Sequence, residues 1–364
     1  HAIAGNWLNN GSFTFTTANT VLFNGANSAT ISGSSSTAFN NLSVDKGSSI
    51  ATVLEATGPM SMNGNLTFTD GLFRLTHASS SAQPGGSLTI PSTAGIEING
   101  GTLNPNFGSI TNQGLFRVIS GSATVGTSSG NAVNNQTGST CNVQGGTLTV
   151  SGRLTATGGT VSQSGGTITL CTVGNTDAGT ANFDISSTSN LSLTGGSVVF
   201  SLPNTATTPY NSLNIVSGGT KTVSGGTFQF GNASTPTSQL FKVNSAIPLF
   251  NFTINNVNAP SVQLVTNDLT INGTLALNGG NIDGATNNKL VIVTNSSSSA
   301  VTQTSGFINS NLRRAVATTG ANYLFPVGLT TGEYTPATLN FSNLTARSEE
   351  HTSELQSQST ISYA

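Results

Sequence analysis

The chain has 364 residues, of which 6% are charged, 35% are apolar and 43 are Gly, with a formal net charge of −2. So few charges exclude the clustered Lys and Arg that neutralise nucleic-acid phosphate, and alternating apolar residues exclude disorder for most of the chain. No apolar run reaches the roughly 18 residues of a membrane-spanning helix, and 11 Pro among dense Gly, Asn and Ser leave no long amphipathic helical pattern.

The chain opens at His1 rather than at Met and is read as a segment of a longer protein, so targeting signals are missing rather than negative. Residues 1–35 predict short strands around Asn6-Trp7-Leu8, Ser12–Phe15 and Thr20–Phe23. Trp7, the only Trp, is read as a core or end-plug residue in preference to an exposed binding platform.

An aromatic-Asn pattern follows. Phe39-Asn-Asn-Leu42-Ser-Val44, Tyr210-Asn-Ser-Leu213-Asn-Ile215 and Phe250-Asn-Phe252-Thr-Ile254 share it, which predicts Phe39, Tyr210 and Phe250 at equivalent places in a core ladder. Gly64–Gly71 and Asn267–Gly273 continue the first and third in parallel, as two copies of one longer module. Between them, residues 83–126 give closely spaced short strands at Gly86–Ile90, Gly95–Ile98, Gly101–Leu103 and Gly114–Ile119.

The strongest repeat runs from Gly145 to Phe230. Gly145-Gly146-Thr-Leu-Thr-Val, Gly165-Gly166-Thr-Ile-Thr-Leu, Gly195-Gly196-Ser-Val-Val-Phe and Gly225-Gly226-Thr-Phe-Gln-Phe each join a tight corner to a strand, and the last three are evenly spaced. The segment from Thr157 to Ser164 recurs two such intervals later, from Ser217 to Ser224. One such strand cannot bury its apolar side alone, so stacked neighbours must supply the core. The fold class is therefore all-β: a parallel β-solenoid (β-helix) over residues 1–305, with coils of about 20 to 30 residues and open ends that need caps. Cys141 and Cys171, separated by the same interval as the later Gly pairs, are compatible with a disulfide or with two small buried side chains. The second reading is favoured because their offsets from the nearest Gly pair differ.

Residues 306–346 change character, with Gly306-Phe-Ile-Asn-Ser-Asn-Leu-Arg313-Arg314, then Tyr323-Leu-Phe-Pro326-Val-Gly328, then Glu333-Tyr-Thr-Pro336-Ala-Thr-Leu-Asn-Phe341. This stretch resembles the segment near the end of the repeat region in large β-strand-repeat surface proteins exported by the type IX secretion system of Gram-negative bacteria, with Asn311 where a Gly often stands. The resemblance implies a β-sandwich-like module beginning at 306, an extracellular or cell-surface location, and an adhesin-like role with surface glycans or other cell-surface proteins as partners. Residues 347–364 carry four of the chain's charges in Arg347, Glu349, Glu350 and Glu354. They are similar to a translated sequencing adapter and are read as a disordered, non-native tail; without them nine basic and nine acidic residues remain.

No catalytic, cofactor-binding or metal-binding residue stands out. A carbohydrate-active β-helix would need converging carboxylates or bases, whereas Asp45, Glu55, Asp70, Glu97, Asp268 and Asp283 are isolated in sequence and His77 reads as a loop residue. Three or more charged side chains converging in one groove would favour the enzyme. Gly174–Asp184 offers Asp177 and Asp184 to calcium, but lacks the spacing of known calcium loops and reads as an Asx-rich turn. Thr-x-Thr strands at 14–16, 67–69, 147–149 and 167–169 are ordinary solvated strand positions unless they align as two outward columns, which would favour ice binding. The expected function is a non-enzymatic extracellular structural or adhesive repeat segment.

Overall fold

The computed structural model describes residues 1–14, 19–105, 108–206, 211–255, 261–317, 319–329 and 333–342. They build a parallel β-solenoid of about 13 turns. Most coils lay one short strand on each of three faces. In one coil Ala132–Asn135 lies on the first face, Thr140–Val143 on the second and Thr147–Val150 on the third. The next coil places Leu154 over Val133, Val161 over Cys141 and Ile168 over Leu148, all in parallel register. At about 4.8 Å per coil the stack is roughly 60 Å long.

Alternation decides which side chains enter. In Thr167–Leu170, Ile168 and Leu170 are fully buried while Thr167 and Thr169 face outward. The interior is one continuous apolar cluster, with the Phe200 and Phe230 rings stacked at 4.7 Å and Phe230 on Phe252 at 4.9 Å.

The Gly-Gly pairs turn the chain from the second face to the third. The second Gly of each has positive φ: 61° at Gly146, 65° at Gly166, 75° at Gly196 and 79° at Gly226. A Cβ on Gly166 would lie 2.5 Å from the Gly146 carbonyl oxygen, because successive corners stack backbone on backbone.

The even interval between the later Gly pairs is not the basic coil. Leu148 pairs with Ile168, a shorter step along the chain than those from Ile168 to Val198 and from Val198 to Phe228. The extra residues are insertions at the corner from the third face to the first, after Leu170, Phe200 and Phe230. The echo of Thr157–Ser164 in Ser217–Ser224 spans two coils.

The aromatic-Asn motifs share a local device but not a place. Leu42 and Leu213 enter the first face, whereas Phe252 enters the third. Phe39 is buried at the end of a third-face strand and Phe250 is only half-buried, so the expected ladder of equivalent aromatics does not form; Tyr210 lies outside the described residues. What recurs is an Asn clip. Asn41 Oδ1 accepts the N–H of Asn65 at 2.7 Å and Asn251 Oδ1 that of Thr274 at 2.9 Å, each one coil on. Asn6, Asn190, Asp268 and Asn281 do the same to Thr30, Thr220, Leu290 and Phe307.

Trp7 packs edge-on against Phe13 at 4.5 Å and Phe39 at 5.8 Å in the first coils, half-buried, its Nε1 donating to Thr37. Parallel stacking continues past residue 305, since Ile308 pairs with Ile282 and Leu312 with Val291. An antiparallel ribbon of Asn322–Phe325 and Ala337–Asn340 then closes this end. Arg314, 5% exposed, holds it: its guanidinium donates to the carbonyls of Leu324, Ser297 and Ser298 and lies 4.9 Å from the Tyr323 ring centre. Pro326 O accepts the Ile308 N–H, and a Cβ on Gly328 would strike the Phe307 ring at 2.7 Å. The motif residues of 306–341 thus assemble a cap on the last coil. Residues 347–364 lie outside the described residues.

Candidate functional surfaces

The structure brings charged residues together on the second face. Thr30, Glu55, Arg74, Glu97 and Arg117 stand opposite one another in successive coils, followed by Asn142, Ser162, Ser192 and Thr222. Glu97 is 2% exposed, with Arg74 Nε 2.5 Å from Oε1 and Arg117 Nη1 3.0 Å from Oε2. Two guanidinium groups therefore neutralise one buried carboxylate, one on each oxygen. Sequence separation concealed this ladder; reading Glu55, Arg74, Glu97 and Arg117 at a coil period of about 20 residues would have revealed it.

The other carboxylates are dispersed. Asp45 and Asp70 face each other in adjacent first-face strands. Asp268 is one of the coil clips. Asp283 accepts from Thr286, Gln263 and Asn309; burial pushes its carboxyl pKa up, but these donors outweigh burial and hold it below the ordinary value. His77 lies in a loop and accepts the Ser79 N–H at 3.1 Å. Among the described residues no three of His, Cys, Asp and Glu gather closely enough to hold a metal ion.

The inserted corner contains the Gly174–Asp184 stretch. Asn175 Oδ1 accepts the Asp177 N–H and Asp177 Oδ1 the Gly179 N–H, two consecutive Asx turns. The other Asp177 oxygen meets Arg153 Nη2 at 2.8 Å. Asp184 accepts from Ala181 N and from Asn214, which accepts from Asn244, a ladder along the first face. The sequence expectation of an Asx-rich turn matches this geometry.

Cys141 and Cys171 are free and buried. Cys141 faces the interior from the second face, while Cys171 sits at the inserted corner with φ 59°, so their even spacing in sequence places them on different columns and the disulfide is ruled out. Burial pushes both thiols up to about 12.

The third face is uncharged and hydroxyl-bearing. Thr147 aligns with Thr167 and Thr149 with Thr169, two outward columns in direct register. Of the other Thr-x-Thr strands, Thr67 lies on the first face and Thr16 lies outside the described residues. Among the described residues no helix is long and apolar enough to cross a membrane.

No protein family, curated protein or solved structure matches the chain.

Proposed function

We propose that the chain is a non-enzymatic structural segment of an extracellular, surface-attached bacterial protein, a stalk that holds other parts away from the cell. The observation that carries this reading is the uninterrupted ladder of the third face, which runs strand on strand from Phe13–Thr14 to Val301–Gln303. Each strand along it is hydrogen-bonded to the next, so the segment transmits load along its axis without a hinge. An outer surface on which the buried carboxylate of Glu97 is paired with Arg74 and Arg117 suits a spacer, and the resemblance of residues 306–346 to type IX-exported surface proteins supports placement outside the cell.

The test uses antibodies against the purified chain on intact bacteria carrying the complete gene. Labelling and protease removal on intact cells are expected. Signal only after lysis would overturn the location. Release of reducing or unsaturated sugars from a polysaccharide panel by the purified chain would overturn the non-enzymatic reading.

A further inference from the structure

The third face uses its polar side chains differently from the other two. Ser61, Ser81, Thr102, Ser122, Thr147, Thr167, Ser197 and Thr227 put a hydroxyl at the same outward position of successive coils, without interruption. A second column, two residues further along each strand, carries Thr124, Thr149, Thr169, Val199, Gln229 and Thr253. On the second face Asn142 donates to Ser162, and on the first Asn244 and Asn214 form a bonded ladder. In the first hydroxyl column only Thr102 bonds within the described residues, to Ser80 O at 3.5 Å. The remaining hydroxyls make no side-chain hydrogen bond among the described residues; Thr147 is exposed and the others are half-buried on the outward side of the sheet.

Their spacing is set by the fold, at about 4.8 Å between coils and about 6.6 Å between columns. Tetrahedral water bonded at about 2.75 Å places second-neighbour oxygens about 4.5 Å apart. A file of hydroxyls along the sheet therefore matches a row of waters at nearly the repeat of ice. The lack of charge on either column leaves no ionic hydration shell to break that row. We propose that the third face between Ser61 and Thr253 is an ice-binding surface whose outward hydroxyls hold a layer of ordered water that joins the lattice. This is independent of the stalk reading, because it concerns a face rather than a location.

The test is ice-crystal shaping and thermal hysteresis with the purified full chain, beside Thr167→Tyr and Thr149→Lys on the third face and Thr222→Tyr on the second. Shaping and hysteresis are expected from the wild type and from Thr222→Tyr, with loss in the two third-face variants while the circular dichroism is unchanged. No shaping by the folded wild type overturns the proposal, whatever the variants do. Retention of activity in both third-face variants overturns it as well. Failure on ice combined with co-sedimentation of the wild type with crystalline cellulose or chitin overturns it in favour of a polysaccharide lattice.

Discussion

Glu97 stands directly opposite Arg117 across one coil step, its Oε2 3.0 Å from the guanidinium Nη1, and Arg74 closes on its other oxygen from the coil before. The carboxylate is buried while the two Arg side chains are about a third exposed, which screens them. Replacing Glu97 by Gln keeps the volume but leaves two like charges one coil apart on either side of a neutral amide. The expected cost is about 1–2 kcal/mol, below the roughly 3–5 kcal/mol of a fully buried broken pair because the cations reach water. Urea unfolding measures it, and the loss should shrink in high salt. An unchanged midpoint would show that the ladder contributes nothing.

The Gly-Gly corners make a sharper claim. Gly166→Ala meets both a positive φ and the Gly146 carbonyl oxygen 2.5 Å from the new Cβ. Gly138 also has positive φ, 79°, but nothing lies within 4 Å of its Cβ position. Gly138→Ala should therefore cost about 1–2 kcal/mol from backbone conformation alone. Gly166→Ala should add about 1–3 kcal/mol of overpacking. Equal midpoints for the two variants in chemical unfolding would contradict the stacked-corner geometry.

Much of this architecture was legible in the chain because it is local. A Gly pair followed by Thr-Leu-Thr-Val specifies a corner and a strand by itself, and Thr147–Val150 forms as that pattern predicts. What was not legible depends on coil length. Insertions after Leu170 and Phe200 lengthen a short coil by half, so the most visible interval was not the basic one and the partners of Glu97 lay concealed at unequal separations. Face assignment failed for the same reason: Phe39 and Phe250 share a motif, yet the strands they precede lie on different faces because each motif marks a corner and not a position around the coil. The two Thr columns emerge only where register sets Thr147 beside Thr167 and Thr149 beside Thr169.

Arg314 is the side chain on which the cap depends. It reaches three carbonyls from one planar fork, which a Lys ammonium cannot reproduce. Arg314→Lys should make the ribbon after residue 314 sensitive to limited proteolysis while the coils stay resistant. Arg313 is exposed, and Arg313→Lys should leave the digestion pattern unchanged. Identical digestion of both variants and the wild type would remove Arg314 from this role.

Asp283 gives the last coils a dependence on pH whose sign follows from its surroundings. Burial raises its carboxyl pKa, but Thr286 donates from both hydroxyl and N–H, at 2.6 and 3.2 Å, and Gln263 and Asn309 donate at 3.3 and 3.1 Å. The net shift is downward from 3.8. A carboxyl with a lower pKa folded than unfolded stabilises the fold fully above its unfolded value, and that contribution is lost as pH falls through the folded value. The window therefore opens near pH ~4, the ordinary Asp value, and extends below it. Other carboxylates titrate there too, so the informative quantity is the difference in stability between the wild type and Asp283→Asn. That difference should favour the wild type at neutral pH, hold steady down to the window, and close within it as the wild-type carboxylate takes up its proton. A difference that stays constant down to pH ~2 would show that the donors around Asp283 do not distinguish its charged form from its neutral one.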